Sequence, residues 1–264
     1  MSADAPNGSP LRPGAPLDPV EAVRRDLNKA LPKRFYKEAA VAERDAAFVL
    51  VLDGRAALTP GRAALALPRR AAAAALAAEW AAQGETIDPA TMPMTRIVNA
   101  ALDGVAFRAE AVRADIVAYA RSDLLCYRAA EPAALAAAQR AAWDPVLAWA
   151  HAAHGIELKL AQGVVFVAQP DAALAALAEV VGAVAAPLPL ACLHVMTGLT
   201  GSALLALALA HGRLTVAEAW SAAHVDEDFQ IAAWGEDAQA TARRAQREAD
   251  MRAAARLFDL LRAG

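Results

Sequence analysis

The run Ala47-Phe48-Val49-Leu50-Val51-Leu52-Asp53-Gly54 joins six apolar residues to a favoured reversal signal. It predicts a strand over Ala47–Leu52 that turns back at Asp53-Gly54. Working outward, Phe35–Glu43 can form a second strand, and Ala64–Leu67, bounded by Pro60 and Pro68, a short third one. These segments read as small antiparallel sheets or a partial barrel. Residues 1–28, rich in proline and glycine, read as a flexible N-terminal tail.

Beyond the strands the pattern turns helical. Arg69–Gln83 predicts an alanine-rich helix stopped by Gly84, and Pro89 and Pro93 bracket an irregular link. Further helices are predicted over Thr95–Ser122, Pro132–His154, Asp171–Val184, Leu190–His211, Thr215–Trp234 and Glu236–Arg262. One interruption, Gly155–Ala168, alternates around Gly163 and predicts a hairpin. The fold class that follows is α+β and multidomain. The tail (1–28) precedes a small β-rich N-terminal domain with one helix (29–94), and a larger, mainly helical C-terminal domain covers 95–264.

Composition narrows the function. Hydrophobic residues make up 58% of the 264 and charged residues 21%. That is enough apolar surface to rule out a disordered chain. The balance of 26 basic against 29 acidic residues gives a net charge of -3, which lacks the basic excess that a nucleic-acid binder uses. The two cysteines, Cys126 and Cys192, lie far apart and form no CxxC, which fits a reducing compartment. No signal-peptide core or arginine-rich presequence is evident, so a cytoplasmic protein is expected. The run 180–212 carries no Asp, Glu, Lys or Arg. Pro187 and Pro189 split it, and His194, Thr197, Thr200 and Ser202 lie within it, so buried helices are expected rather than stable membrane insertion.

Few residues carry recognisable chemistry. His151 and His154 with Glu157 have a spacing that zinc sites use, but no further ligand joins them, and a histidine-rich helix end closed by Gly155 explains them. Gly198-Leu199-Thr200-Gly201-Ser202 lacks the lysine and the preceding strand of a phosphate loop, and its small residues suit close helix approach. Both cysteines read as buried small hydrophobes. The most unusual segment runs from Trp220 through His224-Val225-Asp226-Glu227-Asp228-Phe229-Gln230 to Trp234-Gly235. On one continuous helix Trp220, Glu227 and Trp234 share a face, and Asp226 and Gln230 an adjacent one. Two readings follow: a solvated acidic face with the tryptophans turned inward, or an acidic contact patch flanked by aromatic packing. An enzyme using His224, Asp226 and Glu227 on a small molecule is the alternative, and it requires a pocket converging on those side chains.

Several strings occur together in order. They begin with Arg34-Phe35-Tyr36-Lys37, Leu52-Asp53-Gly54-Arg55, Thr59-Pro60, Leu67-Pro68 and Glu79-Trp80-Ala81-Ala82-Gln83. Ile87 and Met92-Pro93-Met94-Thr95 follow, then Asp123-Leu124-Leu125-Cys126-Tyr127-Arg128, Gln139, Trp143-Asp144-Pro145 and Gln169-Pro170. Asp226-Glu227-Asp228-Phe229-Gln230 and Trp234-Gly235 complete the set. From about Arg34 to near the C-terminus this order resembles the ATP synthase assembly factor family, which chaperones the alpha subunit of the catalytic head.

The resemblance implies a non-enzymatic protein, with no cofactor or metal expected, and the lack of a presequence points to a bacterial, cytoplasmic homologue. Its partner would be the free ATP synthase alpha subunit, whose beta-facing surface it shields until assembly. It implies the same fold, a β-rich N-terminal domain and a helical C-terminal one. It also points to Asp226, Glu227 and Gln230 for partner contact or for shaping the contact surface. Relatives often carry glutamate at the first of these, and Asp226 is one methylene shorter. Trp80 also matches a family position, where core packing is expected.

Overall fold

The computed structural model describes residues 31–163 and 165–262. The tail expected over 1–28 lies outside them. A small strand-containing region over residues 39–67 precedes a helical remainder. Strands β1 (Ala39–Arg44) and β2 (Ala47–Leu52) pair antiparallel from Ala39↔Leu52 to Arg44↔Ala47. β3 (Arg55–Ala56) and β4 (Ala66–Leu67) also pair with β2, which is therefore the centre of the sheet. The chain reverses at Asp53-Gly54 as expected, with φ of 48° and 78° that suit the twist of a two-residue hairpin turn.

The first strand starts at Ala39 rather than at Phe35. The amides of Lys37 and Glu38 donate to the Asp53 carboxylate at 3.0 and 2.8 Å instead of entering a ladder. The Arg34 guanidinium donates to the carbonyls of Tyr36, Lys37 and Gln83, fastening this irregular segment to the end of the first helix. That helix, α1 (Arg70–Ala81), packs on β1 and β2. Trp80 is half-buried against Tyr36, whose hydroxyl donates to the Trp80 carbonyl at 2.7 Å. Ala82 stays right-handed at the helix end and Gly84 has no positive φ, so the stop does not use a left-handed glycine.

Three long predicted helices are each two helices. Thr95–Ser122 divides into α2 (Pro93–Asp103) and α3 (Ala109–Ala120), because the chain bends at Gly104, where a Cβ would sit 2.9 Å from the Ala100 carbonyl oxygen. The Asp103 carboxylate turns back to accept from the Thr59 hydroxyl at 2.6 Å and the Gly61 amide at 2.8 Å, tying α2 to the strand region. After α4 (Ala133–His154) and α5 (Asp171–Gly182), the expected Leu190–His211 helix divides into α6 (Leu188–Thr200) and α7 (Ala203–Ala210). Gly201 is left-handed at φ 66°, and the Ser202 side chain accepts from Leu205 N to start α7. At Gly198 an added Cβ would lie 3.5 Å from the Tyr119 hydroxyl oxygen, an ordinary van der Waals contact, so the packing of α3 on α6 does not require glycine there. Thr215–Trp234 divides into α8 (Val216–Ala223) and α9 (Val225–Trp234), and α10 (Ala238–Arg262) closes the described chain.

Gly155–Ala168 is not a hairpin. β6 (Ala161–Gln162) pairs in parallel with β5 (Tyr127–Arg128). The Gln169 side chain holds the base of the segment, accepting from Lys159 N and donating to Lys159 O. The uncharged run forms part of α5, all of α6 and α7 and their links, and no described helix is long and apolar enough to cross a membrane. α6 and α7 are instead the centre of the helical packing. Every residue of α7 is buried, and α6 touches α2, α3, α7 and α10.

Candidate functional site

The acid-rich segment sits at the junction of α8 and α9. α8 starts with a capping box, in which Thr215 and Glu218 satisfy each other's backbone amides. It ends at His224, whose φ of -121° breaks the helix, so α9 has an N-terminus of its own. Asp226, Glu227 and Asp228 fill its first turn, where the exposed backbone amides favour negative charge. A helix start thus accounts for three consecutive acids that a continuous helix would not.

The break overturns the expected shared face of Trp220, Glu227 and Trp234. Trp220 is buried on α8, whereas Trp234 is 83% exposed at the end of α9. Of the two tryptophans expected to turn inward, only Trp220 does so. It stacks on the His224 ring with centroids 3.9 Å apart. His224 is buried, and its Nδ1–H donates to the Trp220 carbonyl at 2.8 Å, leaving Nε2 3.9 Å from Glu227 Oε2. Burial holds the His224 pKa below its usual range, against the Trp220 bond.

Asp226 and Asp228 each have a partner on a different helix. Asp226 Oδ1 accepts from Gln139 Nε2 of α4 at 2.6 Å. Gln139 is 1% exposed, and its Oε1 accepts from Ala129 N at 2.8 Å, so the one amide links the β5 exit, α4 and α9. One turn on, Trp143 Nε1–H donates to Ala222 O at 2.7 Å. Asp228 pairs with Arg244 of α10 at 2.5 Å. Gln230 is exposed and half-buried Glu227 faces His224, so the three expected site residues share α9 but not one environment. His224, Asp226 and Glu227 do not converge as an acid–base set.

The other candidates have structural roles. His154 packs edge-on against Trp149 and His211, with ring centroids 5.1 and 5.0 Å away, and Gly155 ends α4 left-handed as expected. Among the described residues no group of three or more His, Cys, Asp or Glu could hold a metal ion. Cys126 and Cys192 are buried, and burial pushes both thiols up to about 12, so neither presents a thiolate.

Residues 33–151 match the family described as ATP12 chaperone protein. Among solved structures, Atu1473 from Agrobacterium tumefaciens is 48% identical with a TM-score of 0.85, over 92% of this chain and 91% of that one. Atp12 from Paracoccus denitrificans is 38% identical with a TM-score of 0.80, over 87% of this chain and 98% of that one. The chain belongs to the ATP12 chaperone family. An aspartate-to-lysine mutant of the Paracoccus Atp12p matches equally well in fold, with a TM-score of 0.80 at 37% identity.

Within this ATP12 family member, two buried polar residues that tie distant elements together stood in the sequence only as members of matching strings. Gln139 is a polar residue one turn before Trp143 on the buried side of α4, and that placement is its only local signal. Asp123 is fully buried, where its carboxylate accepts from Leu125 N at 3.1 Å and Leu204 N at 3.3 Å. It bridges the end of α3 to the start of α7.

Proposed function

We propose that this protein is an assembly chaperone of the F-type ATP synthase that binds the free alpha subunit of the catalytic head. It shields the surface that later meets beta. The observation that carries the reading is the extent of the likeness to Paracoccus Atp12, which spans 98% of that chain and so concerns the whole molecule. The physical logic is that an unassembled subunit exposes an apolar interface that aggregates unless covered. Covering it needs a surface that binds and then lets go, without bond-making chemistry.

The protein acts in the cytoplasm, stoichiometrically, without ATP hydrolysis, cofactor or metal. Asp226, Glu227 and Gln230 belong to the contact region, with Asp226 shaping it through Gln139 rather than as a free charge. The alternative of an enzyme built on His224, Asp226 and Glu227 loses its motivation, because Asp226 turns to Gln139 while Glu227 faces the buried His224, so the three side chains do not converge.

The test uses purified alpha subunit alone. Mixing it with this protein should give a stoichiometric complex by size-exclusion chromatography and suppress light scattering from aggregating alpha, and added beta should displace the chaperone. Unchanged aggregation and no complex would overturn the proposal.

A further inference from the structure

Trp234 has the greatest exposure of the large hydrophobic side chains among the described residues, at 83%. It is not on a loose end. α9 is held in its first turn by Asp226 to Gln139 on α4 and by Asp228 to Arg244 on α10. From Asp226, Gln230 and Trp234 follow at successive intervals of four along the same ridge, and both are exposed. The helix is therefore an arm fastened on two sides at its base, with an indole at its tip. Tryptophan is the residue most often found as a binding anchor, since it covers a large area at little entropic cost.

The surroundings of the indole indicate what it meets. After Gly235 come Glu236 and Asp237, both exposed, with the Asp237 carboxylate also accepting from Ala240 N at the start of α10. Glu236 also lines a cleft of about 380 Å³ between α8, α9 and the start of α10, with Trp220, Asp228, Ile231, Arg244 and Glu248. Asp228 and Glu248 there are paired with Arg244 and Arg252, which leaves Glu236 as the acid of the cleft without an ion-pair partner among the described residues. An aromatic anchor followed in the chain by two exposed acids complements an apolar socket flanked by lysine or arginine.

We propose that Trp234 is the anchor by which this protein enters an apolar, basic-rimmed socket on its client subunit, and that the Gln139–Asp226 bond aims it. This rests on the function proposed above, with the alpha subunit as the client. Isolated exposed apolar residues are common on protein surfaces. Phe107, 81% exposed in the turn after α2, is therefore the control.

The experiment is a binding titration of the full chain against purified alpha subunit, for wild type, Trp234→Ala, Trp234→Phe and Phe107→Ala. Trp234→Ala should weaken binding about thirtyfold, equivalent to about 2 kcal/mol, with an unchanged unfolding midpoint. Trp234→Phe should recover part of that loss, Phe107→Ala should bind as wild type, and affinity should fall with added salt. Wild-type affinity in Trp234→Ala, or an equal loss in Phe107→Ala, would overturn the anchor while leaving the chaperone function in place. Failure of the wild type to bind alpha would overturn the function and the anchor together.

Discussion

Gln139 and Asp226 are 87 residues apart in the chain and 2.6 Å apart in space, amide nitrogen to carboxylate oxygen. Gln139 is buried, so water does not replace Asp226 as the acceptor for that donor, and its oxygen is held separately by Ala129 N. Asp226→Ala should therefore lower the unfolding free energy by about 1–3 kcal/mol, the cost of orphaning a buried donor. Gln139→Glu alone would set two carboxylates against each other and should destabilise at least as much. Combined with Asp226→Asn, the new carboxylate can accept from both Ala129 N and the asparagine amide, so the double variant should regain stability. Urea unfolding of wild type, Asp226→Asn, Gln139→Glu and their double variant measures the coupling, and strictly additive losses would show that the bond does not join the two helices energetically.

Glu79 predicts a second long-range effect. From the third turn of α1, its carboxylate accepts from Met94 N, Thr95 N and the Thr95 hydroxyl at 2.8–2.9 Å, capping α2 from another helix. Met92, the residue at the cap position of α2, supplies no side-chain bond. Glu79→Ala should cost about 2 kcal/mol, and Glu79→Gln less, since one oxygen still accepts. Equal stability of Glu79→Ala and wild type in chemical denaturation would contradict this role.

The turn between β1 and β2 is strained in a way that a single change relieves. Asp45 and Ala46 have φ of 50° and 61°, the left-handed region that a two-residue hairpin turn demands and alanine disfavours. Ala46→Gly should stabilise the protein by about 0.5–1 kcal/mol, whereas most glycine substitutions destabilise. A lowered thermal midpoint in this variant would show that the turn carries no such strain.

Acid should affect one buried group in an unusual direction. Burial pushes Asp123 from 3.8 up to about 6, against hydrogen bonds from Ser202, Leu125 and Leu204. The folded state thus holds this proton more tightly than the unfolded chain does. Its stabilising contribution is complete below about pH 4 and is lost as the pH rises through about 6. Relative to Asp123→Asn, wild type should gain up to about 3 kcal/mol between pH 7 and pH 4. A pH-independent difference between the two proteins would exclude the raised value.

Some features of the fold were legible because their signals are local. The reversal at Asp53-Gly54, the left-handed stop at Gly155 and the helix start at Thr215 each depend on residues within a few positions. The helix breaks at Gly104, Gly201 and His224 were not legible. Roughly 29% of the chain is alanine, which favours helix on either side of a break and leaves little contrast between buried and exposed faces. The alternation of 155–168 predicts a hairpin, but the strand there is Ala161–Gln162 alone, and its partner at Tyr127–Arg128 lies more than thirty residues upstream, which a short pattern does not encode. At the candidate site, the unusual acids were visible but not their directions.

The sequence by itself determined the class of the protein: strands first, helices after, a core rich in alanine and leucine, and an ordered set of motifs that carries the family likeness. Those properties follow from local propensity and composition, which act between neighbours in the chain. Only the tertiary structure decided that Trp220 is buried while Trp234 stands exposed, and that Asp226 turns to Gln139 and Asp228 to Arg244. Those outcomes depend on which distant helix supplies the donor or the covering surface. A hydrogen bond across 87 residues leaves no periodic trace in either segment, because its geometry exists only once both helices are packed.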